Sequence, residues 1–342
     1  MFALRFKYGV LLLSCFVFFS YPAYGVSLRI LMLSDLQGAI KPDKDNLGGL
    51  SRIAWVIKNV KEKAREEGIP VLALNMGDNV VYEEDPSTFE KFRGIPEFQG
   101  LSLCSIDISI PGNHDFYLGA KGLDEALSSV SFDSICANFI RETSSSLSQK
   151  LLPYKVIQLG EIRVGFFGLL IKAYDSKPYA DERYFDIARR IVRLLREEEG
   201  CSLVIVMSHL GYLWDRELAK NVGDIDVICG GHTHITLRYP KVIRGVPILH
   251  AGAYGHHVGD LRIFLNHRGE MEDYDWSLIN ITSSIPSDPQ VREFLDPYWN
   301  EYPGDNSASE PPKTKGSGGC SVGGGASCLL WGGALLFPFL IR

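Results

Sequence analysis

Short apolar runs alternate with amphipathic stretches between residues 28 and 278 of this chain. The runs have the length of buried strands, and the stretches have the 3.6-residue period of helices with one apolar face. The predicted strands are Leu28–Leu33, Val71–Leu74, Ile106–Ile110, Arg163–Ile171, Leu203–Met207 and Ile225–Cys229, and the predicted helices are Gly48–Glu67 and Phe185–Glu199. Residues 247–278 are predicted as strands and turns. Such alternation indicates an α/β fold.

Most of the predicted strands are followed by polar side chains of the kinds that bind metal ions. These residues are Asp35, Gln37, Asp78, Asn113, His114, His209, His232 and His234. Ligands of α/β sheets gather at the carboxyl ends of the strands, so we expect these side chains to share one edge. Carboxylate, imidazole and amide oxygen donors suit Mn, Fe, Zn or related divalent ions. Two ions about 3.5–4 Å apart that share one carboxylate would activate a bound water for attack on phosphorus.

Five of these strand ends form an ordered series of motifs. In chain order they are Asp35-Leu36-Gln37, Gly77-Asp78, Gly112-Asn113-His114-Asp115, Ser208-His209 and Gly231-His232-Thr233-His234. The series resembles that of the calcineurin-like metallophosphoesterases, in particular the catalytic domain of the 5′-nucleotidase branch. The glycine pairs at 48–49 and the turn at 251–255 are also similar to that branch.

The resemblance implies a fold and a role for each motif residue. The implied fold is a four-layer α/β sandwich of two mixed sheets with helices outside. Asp78 would bridge two divalent metal ions. Asp35, Gln37 and His234 would complete one metal site, and Asn113, His209 and His232 the other. His114 would contact the phosphoryl group or protonate the leaving oxygen.

Two positions depart from the family pattern. Gln37 stands where the family usually has histidine. This implies a preserved donor count, because His234 is present in the last motif, or a looser first metal, or only one tightly held ion. Tyr117 stands where the branch often has the aspartate that orients the catalytic histidine. Two alternatives follow: Asp115 is a second catalytic residue that orients His114 in its place, or His114 is less well oriented.

The two ends of the chain differ in composition from its body. Arg5 and Lys7, the apolar run Val10–Phe19 and the small residues at 23–25 predict a signal peptide over residues 1–25. A lipobox ending at Cys15 is the alternative. Residues 26–282 are predicted as the metallophosphoesterase domain and 283–317 as a Pro/Ser/Gly-rich linker.

Residues 318–342 have a Gly-Gly-Cys sequence, an apolar run and a terminal arginine, which resemble bacterial C-terminal sorting tails. We expect an exported protein, in the periplasm or at the cell surface, that this tail tethers to the membrane. The net charge of -6 and the lack of a basic stripe argue against nucleic acid as a partner. The body cysteines at 104, 136, 201 and 229 match no zinc spacing and are predicted to be buried, unpaired thiols in strands.

Three functions remain open at this point. The first is a two-metal phosphoesterase that acts on a small phosphorylated substrate. The nucleotide-specificity domain of the 5′-nucleotidases does not fit between residue 278 and the tail, so a nucleotide substrate is not implied by the resemblance. The second is a surface protein that binds metal with little or no catalysis, and the third is a sulfur-ester hydrolase on the same scaffold. Fold alone does not separate them.

Overall fold

A computed structural model describes residues 28–80, 88, 91–117, 119–141, 145–172 and 179–302. The predicted signal peptide, the predicted tail and the part of the predicted linker beyond residue 302 lie outside these residues. No helix in the described ranges combines the length and the apolar character needed to cross a membrane.

Thirteen strands and seven α-helices make up the described body. The strands are β1 (Leu28–Leu33), β2 (Val71–Asn75), β3 (Ile108–Ser109), β4 (Asp133–Ile135), β5 (Leu151–Leu152), β6 (Tyr154–Leu159), β7 (Ile162–Leu170), β8 (Leu203–His209), β9 (Val227–Gly230), β10 (Lys241–Ile243), β11 (Val246–His250), β12 (His257–Leu265) and β13 (Met271–Asn280). The helices are α1 (Leu50–Glu66), α2 (Ile95–Leu103), α3 (Gly119–Leu127), α4 (Ser146–Lys150), α5 (Tyr184–Arg193), α6 (Tyr212–Asn221) and α7 (Pro289–Leu295).

The strands form two mixed sheets. The first has the order β13-β12-β1-β2-β3-β4-β5, and the second has the order β10-β11-β9-β8-β7-β6. The neighbours from β1 to β5 run parallel, and β12 is antiparallel to β1. In the second sheet β7, β8, β9 and β11 are parallel, whereas β6 and β10 pair antiparallel at its edges.

Three buried clusters separate four layers. One lies between the sheets, where Ile30 and Met32 of β1 pack with Phe166 and Ile205 of the second sheet. The alternate residues of β1, Leu31 among them, face α1 on the other side of the first sheet. The third cluster joins the second sheet to α5 and α6. The period-2 alternation of β1 thus serves two cores, and the predicted four-layer sandwich is confirmed.

Most predicted elements recur with shifted ends. Leu28–Leu33 has the predicted bounds, but the predicted strand Ile106–Ile110 shortens to Ile108–Ser109. Strand β8 continues through His209, so this histidine is the last residue of a strand. The helix predicted over Phe185–Glu199 is α5, which then continues as a π-helix over Leu194–Glu198.

The predicted boundary between domain and linker at residue 283 is wrong. Asp288 caps α7 by accepting a hydrogen bond from the Val291 amide, and Val291 and Leu295 are fully buried in the cluster beneath α1 and α2. Tyr302 is 2% exposed and donates a hydrogen bond to buried Glu97. The domain therefore extends to Tyr302, because apolar residues one helical turn apart bury a short helix despite its polar neighbourhood.

The four body cysteines are free and buried, as predicted. Only Cys229 lies in a strand, whereas Cys104 follows α2, Cys136 follows β4 and Cys201 precedes β8. Burial raises the pKa of the Cys136 and Cys229 thiols to about 12. These thiols are therefore core side chains and not reactive groups.

Candidate metal centre

The predicted ligands converge at the carboxyl ends of the strands. Asp35 follows β1, Asp78 follows β2, and His232 follows β9. The sheets meet there, because the His232 amide of the second sheet donates to both Asp35 oxygens of the first, at 2.9 and 3.1 Å. A hydrogen bond from Ser34 completes the partners of Asp35.

Asp78 lies at the centre of the cluster and is 1% exposed. Its Oδ2 atom lies 3.2 Å from His209 Nε2, 3.2 Å from Gln37 Nε2 and 3.9 Å from His114 Nε2. Its Oδ1 accepts a hydrogen bond of 2.8 Å from the His114 amide. Among the described residues, possible ligand atoms of Asp78, His209 and His232 lie within 4.8 Å of one another.

The second implied metal site has three buried ligand atoms. Asn113 Oδ1 and His232 Nδ1 have no hydrogen-bond partner among the described residues, and His209 Nε2 is paired with the Asp78 carboxylate at 3.2 Å. His209 Nδ1 lies 2.6 Å from the Met76 carbonyl, which fixes the ring and leaves Nε2 facing Asp78. Unsatisfied buried polar atoms are costly, and the two on Asn113 and His232, together with the Asp78–His209 pair, fit a bound cation. The residues present therefore fit a divalent metal ion.

The side chains of the first implied site already contact one another. The Gln37 amide nitrogen lies 3.2 Å from Asp78 Oδ2 and 3.4 Å from His234 Nε2, and His234 Nε2 lies 3.6 Å from Asp35 Oδ1. Rotation of the Gln37 amide by half a turn would place its oxygen where the nitrogen now lies. Gln37 therefore lies between the predicted ligands Asp78 and His234, where its amide can supply an oxygen donor.

His114 lies at the edge of the cluster, and Asp115 does not orient it. The His114 side chain is 19% exposed, its Nδ1 has no partner among the described residues, and its ring packs edge-on against Tyr117 at 4.8 Å. The Asp115 carboxylate instead accepts from the backbone amides of Gly112, Asp78 and Asn79 and from the Asn79 side chain. The catalytic role predicted for Asp115 is therefore replaced by a positioning role, since it joins the loops after β2 and β3.

Five of the seven predicted ligands have a left-handed backbone. The φ angles are 51° for Asp35, 51° for Gln37, 53° for Asp78, 73° for His232 and 55° for His234. This conformation is rare for residues other than glycine, asparagine and aspartate and costs about 1–2 kcal/mol per residue. Nothing in the residue pattern indicates it, so sequence reasoning missed it. Strain of this kind clusters at functional sites.

Charge in the cluster shifts the proton affinities of its histidines in opposite directions. Burial opposes protonation of His209, but the Asp78 and Asp35 carboxylates outweigh it and raise the pKa of His209 to about 9. Burial, together with repulsion from His209, lowers the pKa of His232 to about 4. At pH 7 without metal, His209 is therefore cationic and His232 is neutral.

We expect metal uptake at pH 7 to release about one proton, because a ligand imidazole must be neutral. Below pH 9 the apparent Mn²⁺ affinity should then rise about tenfold per pH unit and level off above it. Titration calorimetry at pH 7 in buffers of different ionisation enthalpy measures the protons released. His209→Gln should release fewer protons, and uptake without proton release in the unaltered protein would contradict this assignment.

The fold and the convergence of polar side chains at the strand ends together point to one family. Residues 28–236 match the calcineurin-like phosphoesterase family, and the chain belongs to that family.

Relatives of known name carry the same domain. The chain is 27% identical over 277 residues to the snake venom 5′-nucleotidase of Naja atra, covering 73% of this chain and 50% of that protein. It is 26% identical over 311 residues to the human 5′-nucleotidase, covering 80% and 52%. The chain thus spans about half the length of the curated relatives it matches.

Solved structures share the fold. A 5′-nucleotidase precursor from Thermus thermophilus superimposes with a TM-score of 0.72 at 24% identity, covering 80% of this chain and 58% of that one. The sulfate thiohydrolase SoxB of the same organism superimposes with a TM-score of 0.71 at 18% identity, covering 82% and 62%. At these identities the superpositions establish the fold alone.

Proposed function

We propose that the protein is an exported phosphoesterase that hydrolyses a small phosphorylated substrate with two divalent ions at the metal centre. The observation that carries the proposal is the cluster of Asp78, His209 and His232, whose possible ligand atoms all lie within 4.8 Å of one another. Bound there, the ions supply Lewis-acid polarisation of the phosphoryl group and a hydroxide nucleophile near neutral pH.

The side chains divide between two sites that share Asp78. Asp35, Gln37 and His234 hold one ion, and Asn113, His209 and His232 hold the other. Asp78 Oδ2 contacts both groups, because it lies 3.2 Å from Gln37 and 3.2 Å from His209. The bridging role proposed for Asp78 follows from this central place.

His114 is the proposed general acid. Its imidazole lies at the partly exposed edge of the centre, where a substrate oxygen can reach it. A proton held there can pass to the leaving oxygen of the ester or form a hydrogen bond with a phosphoryl oxygen. The ring of Tyr117 fixes one flank of the imidazole in place of a carboxylate.

The names of the relatives support the proposed substrate, and the predicted chain ends support the proposed location. Several curated relatives are named 5′-nucleotidases, which favours a nucleotide or another small phosphate monoester. The predicted signal peptide and tail favour an extracytoplasmic protein tethered to the membrane, and a relative found in venom agrees with export.

The test is phosphate release by the full chain with Mn²⁺ from nucleotides, sugar phosphates and phosphodiesters, with chelated enzyme as the control. We expect turnover of at least one monoester that chelation abolishes. Sulfur esters belong in the same panel, because one fold can host several chemistries and only the panel separates a sulfur-ester hydrolase from a phosphoesterase.

Bound metal without turnover of any ester would instead support the surface metal-binding protein. In that case Gln37→His, which restores the usual imidazole, becomes the deciding variant. Gain of turnover would place the defect in the first site, and continued inactivity would reject the phosphoesterase.

A further inference from the structure

A buried polar network lies directly beneath the metal centre. Asp215 of α6 and His250 of β11 are 0% and 1% exposed, and His250 Nε2 lies 2.8 Å from Asp215 Oδ2. Ser208 donates to the other Asp215 oxygen. The edge of the Tyr212 ring packs on His250 at 5.8 Å between centroids. None of the roles assigned above uses these groups.

The network crosses three parallel strands at one level. Ser208 of β8 pairs in register with Gly230 of β9, and Gly230 pairs with His250 of β11. A Cβ atom on Gly230 would lie 2.3 Å from Asp215 Oδ2 and 2.3 Å from His250 Nε2. Because Gly230 has no side chain, the Asp215 carboxylate fits over β9 and contacts Ser208 of β8 and His250 of β11.

Two of the three strands, β8 and β9, lead directly to a predicted metal ligand. Ser208 precedes His209, and the Ser208 carbonyl accepts from the Gly231 amide at 2.8 Å. Gly231 in turn precedes His232. The Tyr212 amide at the start of α6 donates to Thr233 Oγ1 at 3.3 Å, so α6 also contacts the loop that carries His232 and His234.

We propose that the Ser208–Asp215–His250 network is a positioning element that sets the spacing of His209 and His232 for metal binding. The inference rests on the proposed function, because the two histidines act as ligands there. A buried charged pair is weak evidence for stability, since apolar side chains of similar size often replace one without loss. Groups behind metal ligands typically change metal affinity or activity by about 10- to 100-fold when removed.

The double variant Asp215→Leu/His250→Leu removes both partners and so leaves no buried charge unpaired. We expect Mn²⁺ binding weakened by about 10- to 100-fold and kcat lowered with KM for the ester nearly unchanged. The single variant His250→Gln keeps a side-chain N–H donor next to Asp215, so we expect its Mn²⁺ affinity to be close to that of the unaltered protein. Mn²⁺ affinity is measured without substrate, so the result stands even if no ester is turned over.

The matched control is Arg196→Leu/Asp226→Leu. It removes a pair of 2.6 Å beside the same strand β9, but at the amino end and away from the metal centre. We expect it to lower the melting temperature without changing Mn²⁺ affinity. Equal Mn²⁺ affinity in the folded Asp215→Leu/His250→Leu protein and the unaltered protein would overturn the proposal.

If Asp215→Leu/His250→Leu does not fold, a comparison of two single variants tests the proposal. His250→Asn shortens the donor, whereas His250→Gln retains its reach. Mn²⁺ affinity at least tenfold weaker in His250→Asn than in His250→Gln supports the positioning role, and equal affinities overturn it.

Discussion

Asp78→Asn is expected to lower ester hydrolysis by about 10³-fold or more while the fold is retained. The shared carboxylate contacts both groups of ligands, so loss of its charge weakens both metal sites. Lewis-acid stabilisation by the ions contributes several kcal/mol, and each 1.4 kcal/mol corresponds to about tenfold in rate. The asparagine oxygen can still accept the His114 amide hydrogen bond that Asp78 Oδ1 accepts, which preserves the local backbone.

The measurements are steady-state phosphate release, Mn²⁺ stoichiometry and thermal unfolding of the metal-free protein. Asp186→Asn, at a side chain 71% exposed on α5, makes the same chemical change away from the centre and should leave all three unchanged. Asp78→Asn that keeps more than a tenth of the turnover would mean that hydrolysis does not depend on this centre.

Gly112→Ala is expected to abolish metal binding because the added methyl group would collide with Asp78. A Cβ atom at Gly112 would lie 2.0 Å from Asp78 Oδ1 and 2.3 Å from the Asp78 amide nitrogen. Both neighbours belong to a buried loop, so the carboxylate or the loop after β3 must move. Overpacking of this kind lowers the free energy of unfolding by about 1–3 kcal/mol. Mn²⁺ titration and urea unfolding measure the two effects separately.

Gly223→Ala is the control for the added methyl group, because no heavy atom lies within 4 Å of its Cβ position. We expect it to bind Mn²⁺ as the unaltered protein does. Normal Mn²⁺ binding by Gly112→Ala would show that the two loops need not approach closely for the centre to form.

The convergence of the predicted ligands could be predicted because each lies at or just after a strand end in a short local motif. The pairing of Asp215 with His250 could not, since it depends on how α6 packs over β9 and joins residues 35 positions apart. The role of Asp115 was missed because its partners are backbone amides, which the side-chain pattern does not report. Helix α7 did carry a signal: Asp288 and Pro289 at its start, with Val291 and Leu295 four residues apart.

The left-handed backbone at the five predicted ligands indicates which residue would replace them in a descendant protein that no longer binds metal. Under the proposed function, selection for metal binding holds glutamine and histidine at positions 37, 232 and 234 against their own conformational preference, and aspartate at positions 35 and 78 in a conformation that glycine adopts more easily. Once that selection ends, glycine becomes favourable at each position, because it adopts positive φ at no steric cost. Glycine accumulating at these five sites, with the core unchanged, would mark a lineage that has abandoned the chemistry while keeping the scaffold.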